Sequence, residues 1–155
     1  MAIRNIIDNT NPLIRKISKP VTVFDEKLDQ LIDDMTETMR HADGVGIAAV
    51  QVGILKRVVI VEINGLHLEL INGKILKSSG KQINTEGCLS VPNRKGDVER
   101  AEKITFEAYD RNGYYYQMTV EGPVAMAVGH ELDHLDGILY IDKLVENTKK
   151  SKENE

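Results

Sequence analysis

The chain has 155 residues, of which 41% are hydrophobic and 28% charged, and its formal net charge is −4. This composition is typical of a globular domain and excludes a wholly disordered chain. The negative charge, with no long basic run ahead of the C-terminal tail, disfavours nucleic acid as a ligand. No apolar run is long enough for a signal peptide or a membrane span. We therefore expect a cytoplasmic protein with no direct nucleic-acid specificity and no membrane association.

The N-terminal part predicts an extended lead-in followed by one helix. The first twenty residues contain Pro12 and Pro20 and favour extended backbone. Asp25 is a plausible N-cap, and the helical pattern after it ends at Gly44. The apolar residues of this segment have helical spacing and predict one buried stripe: Phe24, Leu28, Leu31, Ile32, Met35 and Met39.

The middle of the chain predicts antiparallel strands. Residues 57–63 are β-branched and apolar, and Asn64-Gly65 is a strong hairpin signal that leads into residues 66–71. A second pair is predicted at 103–110 and 114–120, joined by a turn at Arg111-Asn112-Gly113.

A second helix is predicted to begin at Pro123 and to end before Gly137. The expected class is α+β, with antiparallel sheets packed around this C-terminal helix and with an N-terminal helix in addition. We expect residues 1–145 to form a single catalytic domain and residues 146–155 to form a polar, frayed tail.

The second helix carries the sequence His130-Glu131-Leu132-Asp133-His134, an H-E-x-x-H motif. Residues four apart on a helix differ by about 40° in azimuth, so His130 and His134 share one face. Glu131 flanks that face, where it could act as a general base. A helix with two histidines on its outer face is the ordinary alternative.

Two histidines do not complete a catalytic metal site, and Cys88 in "EGCLS" is a candidate for the third ligand. A thiolate and two imidazoles would leave one open position, which is typical of catalytic rather than structural sites. For a lone cysteine, however, a small buried side chain is the commoner role, so both interpretations stay open at this point. In "GVGIAAVQ", residues 44–51, glycines favour either a tight turn or a loop close to a ligand, with Gln51 offering an amide donor.

Taken together, these segments, "GVGIAAVQ", "EGCLS" and "HELDH", resemble the peptide deformylase family, which is marked by G-x-G-x-A-A-x-Q, E-G-C-L-S and H-E-x-x-H. The three motifs occur here in that order, and the resemblance covers nearly the whole chain. Two positions depart from the pattern. Val50 replaces a usual proline, and Gly129 replaces a usual glutamine, which puts a contact behind the metal site in doubt.

The resemblance implies removal of the formyl group from the N-terminal formyl-methionine of nascent polypeptides. It implies one divalent metal ion, expected to be Fe²⁺ in the cell with Zn²⁺, Ni²⁺ or Co²⁺ as substitutes. Cys88, His130 and His134 are the expected metal ligands. Glu131 is the expected acid and base, and the Gln51 amide and Leu89 N–H are expected to face the oxyanion.

The expected partners are N-formylmethionyl peptides and, near the exit of nascent chains, the ribosome. The methionine pocket is expected to involve Gly46, Ile47, Met126 and Ala127, although apolar residues at helical spacing are more often plain core. Two alternatives remain: a zinc endopeptidase, which shares H-E-x-x-H, and a catalytically weak, deformylase-like metal-binding protein.

Overall fold

The computed structural model describes residues 2–145, so the predicted tail at 146–155 lies outside the described residues. The described chain contains two α-helices, α1 (Glu26–His41) and α2 (Gly122–His134), and three short 3₁₀ helices. Its seven strands are β1 (Gly46–Ala48), β2 (Val58–Ile63), β3 (Leu66–Ser79), β4 (Gln82–Cys88), β5 (Val91–Arg100), β6 (Lys103–Tyr109) and β7 (Tyr115–Glu121).

The strands form two antiparallel sheets, as the hairpin signals predicted. Five strands pair in the order β1-β2-β3-β6-β7, and β4 pairs with β5 in a separate two-stranded sheet. Strand β3 is long enough to take part in two pairings. Its first half pairs with β2, and after register shifts from Ile71 its second half pairs with β6.

The two helices cover opposite faces of the five-stranded sheet. Successive side chains of a strand point to opposite faces. In β2, Val58 and Ile60 belong to the core cluster that contains the buried stripe of α1. Val59 and Val61 belong to the second cluster, which contains the apolar residues of α2. The sheet is therefore the middle layer, and α2 has a core of its own.

Helix α1 begins as the sequence predicts and ends three residues early. The Asp25 side chain caps it by accepting a hydrogen bond from the Leu28 N–H at 3.1 Å. The helix ends at His41 instead of Gly44 because Asp43 adopts a left-handed conformation, with φ of 57°. The Gly44 N–H then bonds the Met39 carbonyl at 2.9 Å and turns the chain toward β1.

Helix α2 starts one residue before Pro123, at Gly122, and its C-terminal end is held by the lead-in segment. The Ser18 N–H donates to the Leu135 carbonyl at 2.8 Å, and Arg57 donates to the same carbonyl at 3.2 Å. Gly137 has φ of 74°, and a Cβ there would collide with the Arg15 carbonyl. These contacts fix the turn of α2 that carries His134.

Several local predictions were wrong. The lead-in is not extended throughout, because Pro12–Arg15 forms a 3₁₀ helix capped by Asn11. The segment 44–51 is not only a turn, because it contains β1 and a 3₁₀ helix at Ala49–Val52. Strands β4 and β5 and the second half of β3 were missed. Across residues 2–145, no helix is long and apolar enough to cross a membrane.

Candidate active site

One cysteine and two histidines from different elements meet between α2 and the β4–β5 sheet. Cys88 ends β4, whereas His130 and His134 lie one turn apart on α2. One donor atom from each of the three lies within 4.8 Å of the others. The Cys88 Sγ is 3.3 Å from the His134 Nε2. Both histidines are buried, and Cys88 is partly exposed to the adjoining cavity.

The local structure explains why Cys88 faces the helix. Glu86 pairs with Gly96 and Cys88 pairs with Val91, so a step of two residues along β4 is matched by a step of five along β5. This irregularity bends the end of the hairpin. Val91 and Val98 of β5 are buried in the core cluster of α2. The hairpin is thereby packed against the helix with Cys88 at the contact.

The Nδ1 of His130 is hydrogen-bonded to a carboxylate. The His130 Nδ1 lies 2.8 Å from the Glu86 Oε1, and an ionised carboxylate only accepts, so Nδ1 carries the proton. Burial opposes the charge on Glu86, but hydrogen bonds from His130 and Arg100 outweigh it and keep the pKa of Glu86 below its usual value. The Nε2 of His130 is therefore the nitrogen available to the site.

Glu131 is buried beside the two histidines, at distances longer than a hydrogen bond. Its Oε2 is 3.9 Å from the His130 Nε2, and its Oε1 is 4.0 Å from the His134 Nε2. Within residues 2–145 that Oε1 has no hydrogen-bond partner. Burial raises the pKa of Glu131 to about 7. A buried carboxylate oxygen without a protein partner points to a water or substrate proton as its natural partner.

The electrostatics of the two histidines differ. Burial and the charge of His130 lower the pKa of His134 to about 3, so its imidazole is neutral. Burial also disfavours the charged form of His130, but the Glu131 charge and hydrogen bonds to Cys88 and Glu86 outweigh it and raise its pKa, so the Nε2 proton has to leave before this nitrogen can bind a metal.

Gln51 brings an amide to the edge of this cluster. Its Oε1 accepts the Ala48 N–H at 2.9 Å, which leaves the Nε2 facing Cys88. That Nε2 lies 3.6 Å from the Cys88 Sγ and 3.1 Å from the hydroxyl of the buried Ser90. The short 3₁₀ helix after β1 therefore sets the orientation of this donor.

A cavity of about 390 Å³ opens onto the cluster. Of the residues predicted for the site, most line it: Gly46, Gln51, Cys88, Leu89, Met126, Ala127, His130 and Glu131. His134 is buried behind them. The Ile47 side chain is fully buried in the core cluster of α1 and does not line the cavity, because it points to the other face of β1. A ligand in the cavity can therefore contact Ile47 only through its backbone.

Gly46 and Glu131 are packed against each other. A Cβ built on Gly46 would lie 2.6 Å from the Glu131 Oε2 and 2.8 Å from its Cγ. Side-chain atoms do not approach so closely, so the carboxylate can occupy this position only because residue 46 is glycine. The second glycine of the G-x-G motif, Gly46, therefore leaves the space that the Glu131 carboxylate occupies.

Three polar residues of the site were not identified from the sequence: Glu86, Ser90 and Arg100. Glu86 and Ser90 flank Cys88 in "EGCLS", so their proximity was a usable signal. Arg100 had no such signal. It reaches the site only because β5 folds back along β4.

The donor set fits a divalent transition metal. A thiolate and two imidazole nitrogens are borderline-soft ligands, and three protein donors leave an open coordination position. The Glu86 contact behind His130 is the kind of hydrogen bond that orients a metal-binding imidazole. The Glu131 Oε1, which has no hydrogen-bond partner within residues 2–145, lies 4.0 Å from the His134 Nε2, one of the three donor atoms.

Comparison with known proteins gives one consistent result. The family model for polypeptide deformylase matches residues 3–150. A peptide deformylase of Caldicellulosiruptor bescii is 48% identical over 145 residues, covering 94% of this chain and 87% of the relative. Peptide deformylase 1 of Bacillus subtilis is 44% identical over 146 residues, covering 93% and 91%. A crystal structure of a peptide deformylase from Legionella pneumophila superposes with a TM-score of 0.92 at 41% identity, covering 99% and 92%.

Proposed function

This chain belongs to the polypeptide deformylase family, enzymes that remove the formyl group from N-formylmethionyl peptides, and from this premise we propose which of its residues do so. The observation that carries the proposal is the convergence of Cys88, His130 and His134 next to a buried carboxylate at the end of a cavity.

Cys88, His130 and His134 are the proposed ligands of one divalent ion. When bound, such an ion supplies Lewis acidity, which lowers the pKa of a water molecule toward about 7 and polarises the formyl carbonyl. The protein prepares its own side of the site. Glu86 keeps one proton of His130 on Nδ1, so Nε2 is the nitrogen that can bind the ion. The apolar packing of α2 keeps His134 neutral.

Glu131 is the proposed acid and base. Its carboxylate takes a proton from the attacking water, whose oxygen bonds to the formyl carbon. When the C–N bond breaks, the same carboxyl group returns the proton to the nitrogen of the leaving methionine. Formate and a free amino terminus are the products. The unpartnered Oε1 of Glu131 supports this role, since no protein hydrogen bond in residues 2–145 has to break.

Gln51 and Leu89 are the proposed donors to the oxyanion. The formyl oxygen gains negative charge in the transition state, and donors fixed in advance stabilise it without reorganisation. The Gln51 amide is fixed by Ala48 and Ser90. The Leu89 N–H follows Cys88 at the bent end of the β4–β5 hairpin, and Leu89 lines the cavity.

The cavity is the proposed site of the methionine side chain. Met126 and Ala127 lie one turn before His130 on the cavity-facing side of α2. Burying a methionine side chain there is worth up to roughly 1.5–3 kcal/mol. Strand β1 is at an edge of the five-stranded sheet, so the backbone of Gly46 and Ile47 can pair with an extended peptide.

The identity of the metal and the cellular setting are also proposals. The thiolate among the ligands favours softer ions, and we propose Fe²⁺ in the cell, with Zn²⁺, Ni²⁺ or Co²⁺ able to replace it. We propose further that residues 1–145 act as one catalytic domain in the cytoplasm, on nascent chains leaving the ribosome.

The roles of Glu131 and Cys88 separate in one experiment. After anaerobic purification, metal content and formate release from a formyl-Met peptide are measured for the wild type, Glu131→Ala and Cys88→Ser. We expect Glu131→Ala to keep its metal and lose most formate release, roughly 10²–10⁴-fold. We expect Cys88→Ser to lose metal, because a hydroxyl is a far poorer ligand than a thiolate.

Two results would contradict these assignments. Loss of metal from Glu131→Ala, or near-normal turnover by that variant, would remove Glu131 from the proposed role. Full metal content and unchanged activity in Cys88→Ser would make Cys88 a packing residue.

A further inference from the structure

Arg100 is a buried cation near the end of β5 that binds two carboxylates from different elements. Its Nε lies 2.6 Å from the Glu86 Oε2, and its Nη2 lies 3.0 Å from the Glu86 Oε1. Its Nη1 lies 3.0 Å from the Asp133 Oδ2. The side chains of Arg100 and Glu86 are 7% and 3% exposed. This forked geometry fixes the position of both carboxylates.

Both carboxylates act on the turn of α2 that carries the proposed metal ligands. Glu86 bonds the His130 Nδ1 at 2.8 Å, and Asp133 directly precedes His134 on the helix. Arg100 therefore connects β5 to the imidazole of His130 and to the backbone beside His134. Besides Arg100, Asp133 pairs with the half-exposed Lys143 at 2.9 Å. Besides Arg100, Glu86 forms an ion pair only with His130 among residues 2–145.

At Gly129, one turn before Asp133, the helix offers Arg100 no side chain to pack against. A Cβ at Gly129 would lie 3.6 Å from the Arg100 Nη1, which is an ordinary contact distance. Glycine leaves that side empty, and a second cavity of about 240 Å³ opens there, lined in part by Arg100, Asp133 and Gly129. Glycine also adds backbone freedom to the helix.

We propose that Arg100 is a positioning residue for the metal site, acting through Glu86 and Asp133, and that Gly129, which places no side chain beside the guanidinium, makes this turn of α2 more dependent on Arg100. The inference rests on the proposed ligands Cys88, His130 and His134. It concerns the affinity and geometry of the metal site and assigns Arg100 no contact with substrate.

The test measures Co²⁺ binding and not turnover. The metal-free protein is titrated anaerobically with Co²⁺, and the dissociation constant and the visible absorption of bound cobalt are recorded for wild type, Arg100→Met and Arg100→Lys. We expect Arg100→Met to weaken Co²⁺ binding about 10–100-fold and to change the cobalt spectrum, because Glu86 would lose the cation that holds it against His130, and a disturbed hydrogen bond behind a metal-binding histidine has effects of that size. Arg100→Lys should fall between, because an ammonium cannot hold both Glu86 oxygens and Asp133 together.

Arg111→Met is the matched control. Arg111 also binds a carboxylate with two nitrogens, Glu69 at 2.9 and 2.8 Å, and pairs with Asp33, but its partners are remote from the three ligands in the sequence and the fold. We expect it to lower thermal stability and to leave the cobalt constant and spectrum unchanged. A second variant tests the role of Gly129. In the Arg100→Met background, Gly129→Gln should restore part of the affinity, because its side chain fills the second cavity one turn from Asp133.

The outcomes are distinguishable. If both Arg100 variants bind Co²⁺ like the wild type, or if Arg100→Met and Arg111→Met weaken binding in proportion to their loss of stability, Arg100 has no positioning role. If Arg100→Met is too unstable to titrate, Arg100→Lys decides by the same criterion. Failure of the wild type to bind Co²⁺, or binding without a thiolate-to-cobalt absorption band, would overturn the ligand assignment itself.

Discussion

Gly46 has no side chain, and the Glu131 carboxylate lies where its Cβ would be. This contact links a motif in the N-terminal third of the chain to the acid and base on α2. It also gives a physical reason for a glycine at the start of β1, since glycine is otherwise unfavourable in a strand.

We predict that Gly46→Ala reduces formate release about 10²-fold or more, because the added methyl group displaces the carboxylate from its position. Metal content should stay at the wild-type level, since Gly46 is not a proposed ligand. The double variant Gly46→Ala/Glu131→Ala provides the control. It should be no slower than Glu131→Ala alone, because both changes remove one function. A full additional loss in the double variant would show that Gly46 acts independently of Glu131.

For single residues, residue type and spacing predicted relative positions only where the residues belong to one motif. His130, Glu131 and His134 are related by helix geometry, so their shared face follows from the sequence. Glu86 and Arg100 depend on the pairing of β4 with β5, which brings residues 14 apart side by side. No local pattern encodes that contact. The direction of the Ile47 side chain depended in the same way on β1, a strand too short to predict.

At the scale of elements, the sequence identified those that bury a regular apolar face. Helix α1 and strands β2, β6 and β7 have such a face. Strands β4 and β5 do not. Their sequences, "QINTEGC" and "VPNRKGDVER", are polar, contain Pro92 and Gly96, and bury few side chains. Their strand conformation comes from pairing with each other, so local propensity does not reveal it.

An ion pair connects the C-terminal end of α1 to the β2–β3 hairpin. The Arg40 guanidinium bonds both oxygens of Glu62 at 2.8 and 2.6 Å, and the His67 Nδ1 lies 3.1 Å from the same carboxylate. The hydrogen bonds from Arg40, opposed by burial and assisted by His67, lower the pKa of Glu62 to about 2 from its ordinary value of 4.5.

Because the folded-state pKa is the lower one, the stabilisation is complete above about pH 4.5 and is lost as the pH falls toward 2. Arg40 is largely exposed, so we expect Glu62→Gln to lower the free energy of unfolding by only about 0.5–1 kcal/mol at neutral pH. The difference between variant and wild type should shrink through that acidic range in urea titrations. Glu107→Gln, outside the Arg40 pair, is the control. A difference that stayed constant from pH 7 to pH 2 would rule out the ion pair as its cause.

At the scale of the whole molecule, the five-stranded sheet separates two packing layers, and only one of them contains the candidate site. The layer of α1 buries aliphatic and methionine side chains. The layer of α2 also contains the candidate site, and the β4–β5 sheet covers it from outside. The cavity exists because the helix, the edge strand β1 and the hairpin meet without filling the space between them. The class and the antiparallel pairing were predictable, but the shape of that space was not, because it depends on strands that have no signal of their own.

That shape should determine the substrate. The formyl carbon bears only hydrogen, and Gly44, Gly46, Cys88 and Leu89 all line the space in front of the three proposed ligands. An acetyl methyl group would have to enter where a hydrogen sits, and overpacking of that size costs roughly 1–3 kcal/mol. The methionine side chain, in contrast, gains by burial beside Met126 and Ala127.

The most direct test is kcat/KM on three peptides that differ only at the N-terminus: formyl-Met, acetyl-Met and formyl-Asp. We predict efficient formate release from formyl-Met, far slower cleavage of formyl-Asp, and a rate on acetyl-Met lower by about 5–150-fold or more, which corresponds to the overpacking cost. Equal rates on the formyl-Met and acetyl-Met peptides, or cleavage of internal bonds in an unformylated protein, would contradict a deformylase and indicate a general metallopeptidase.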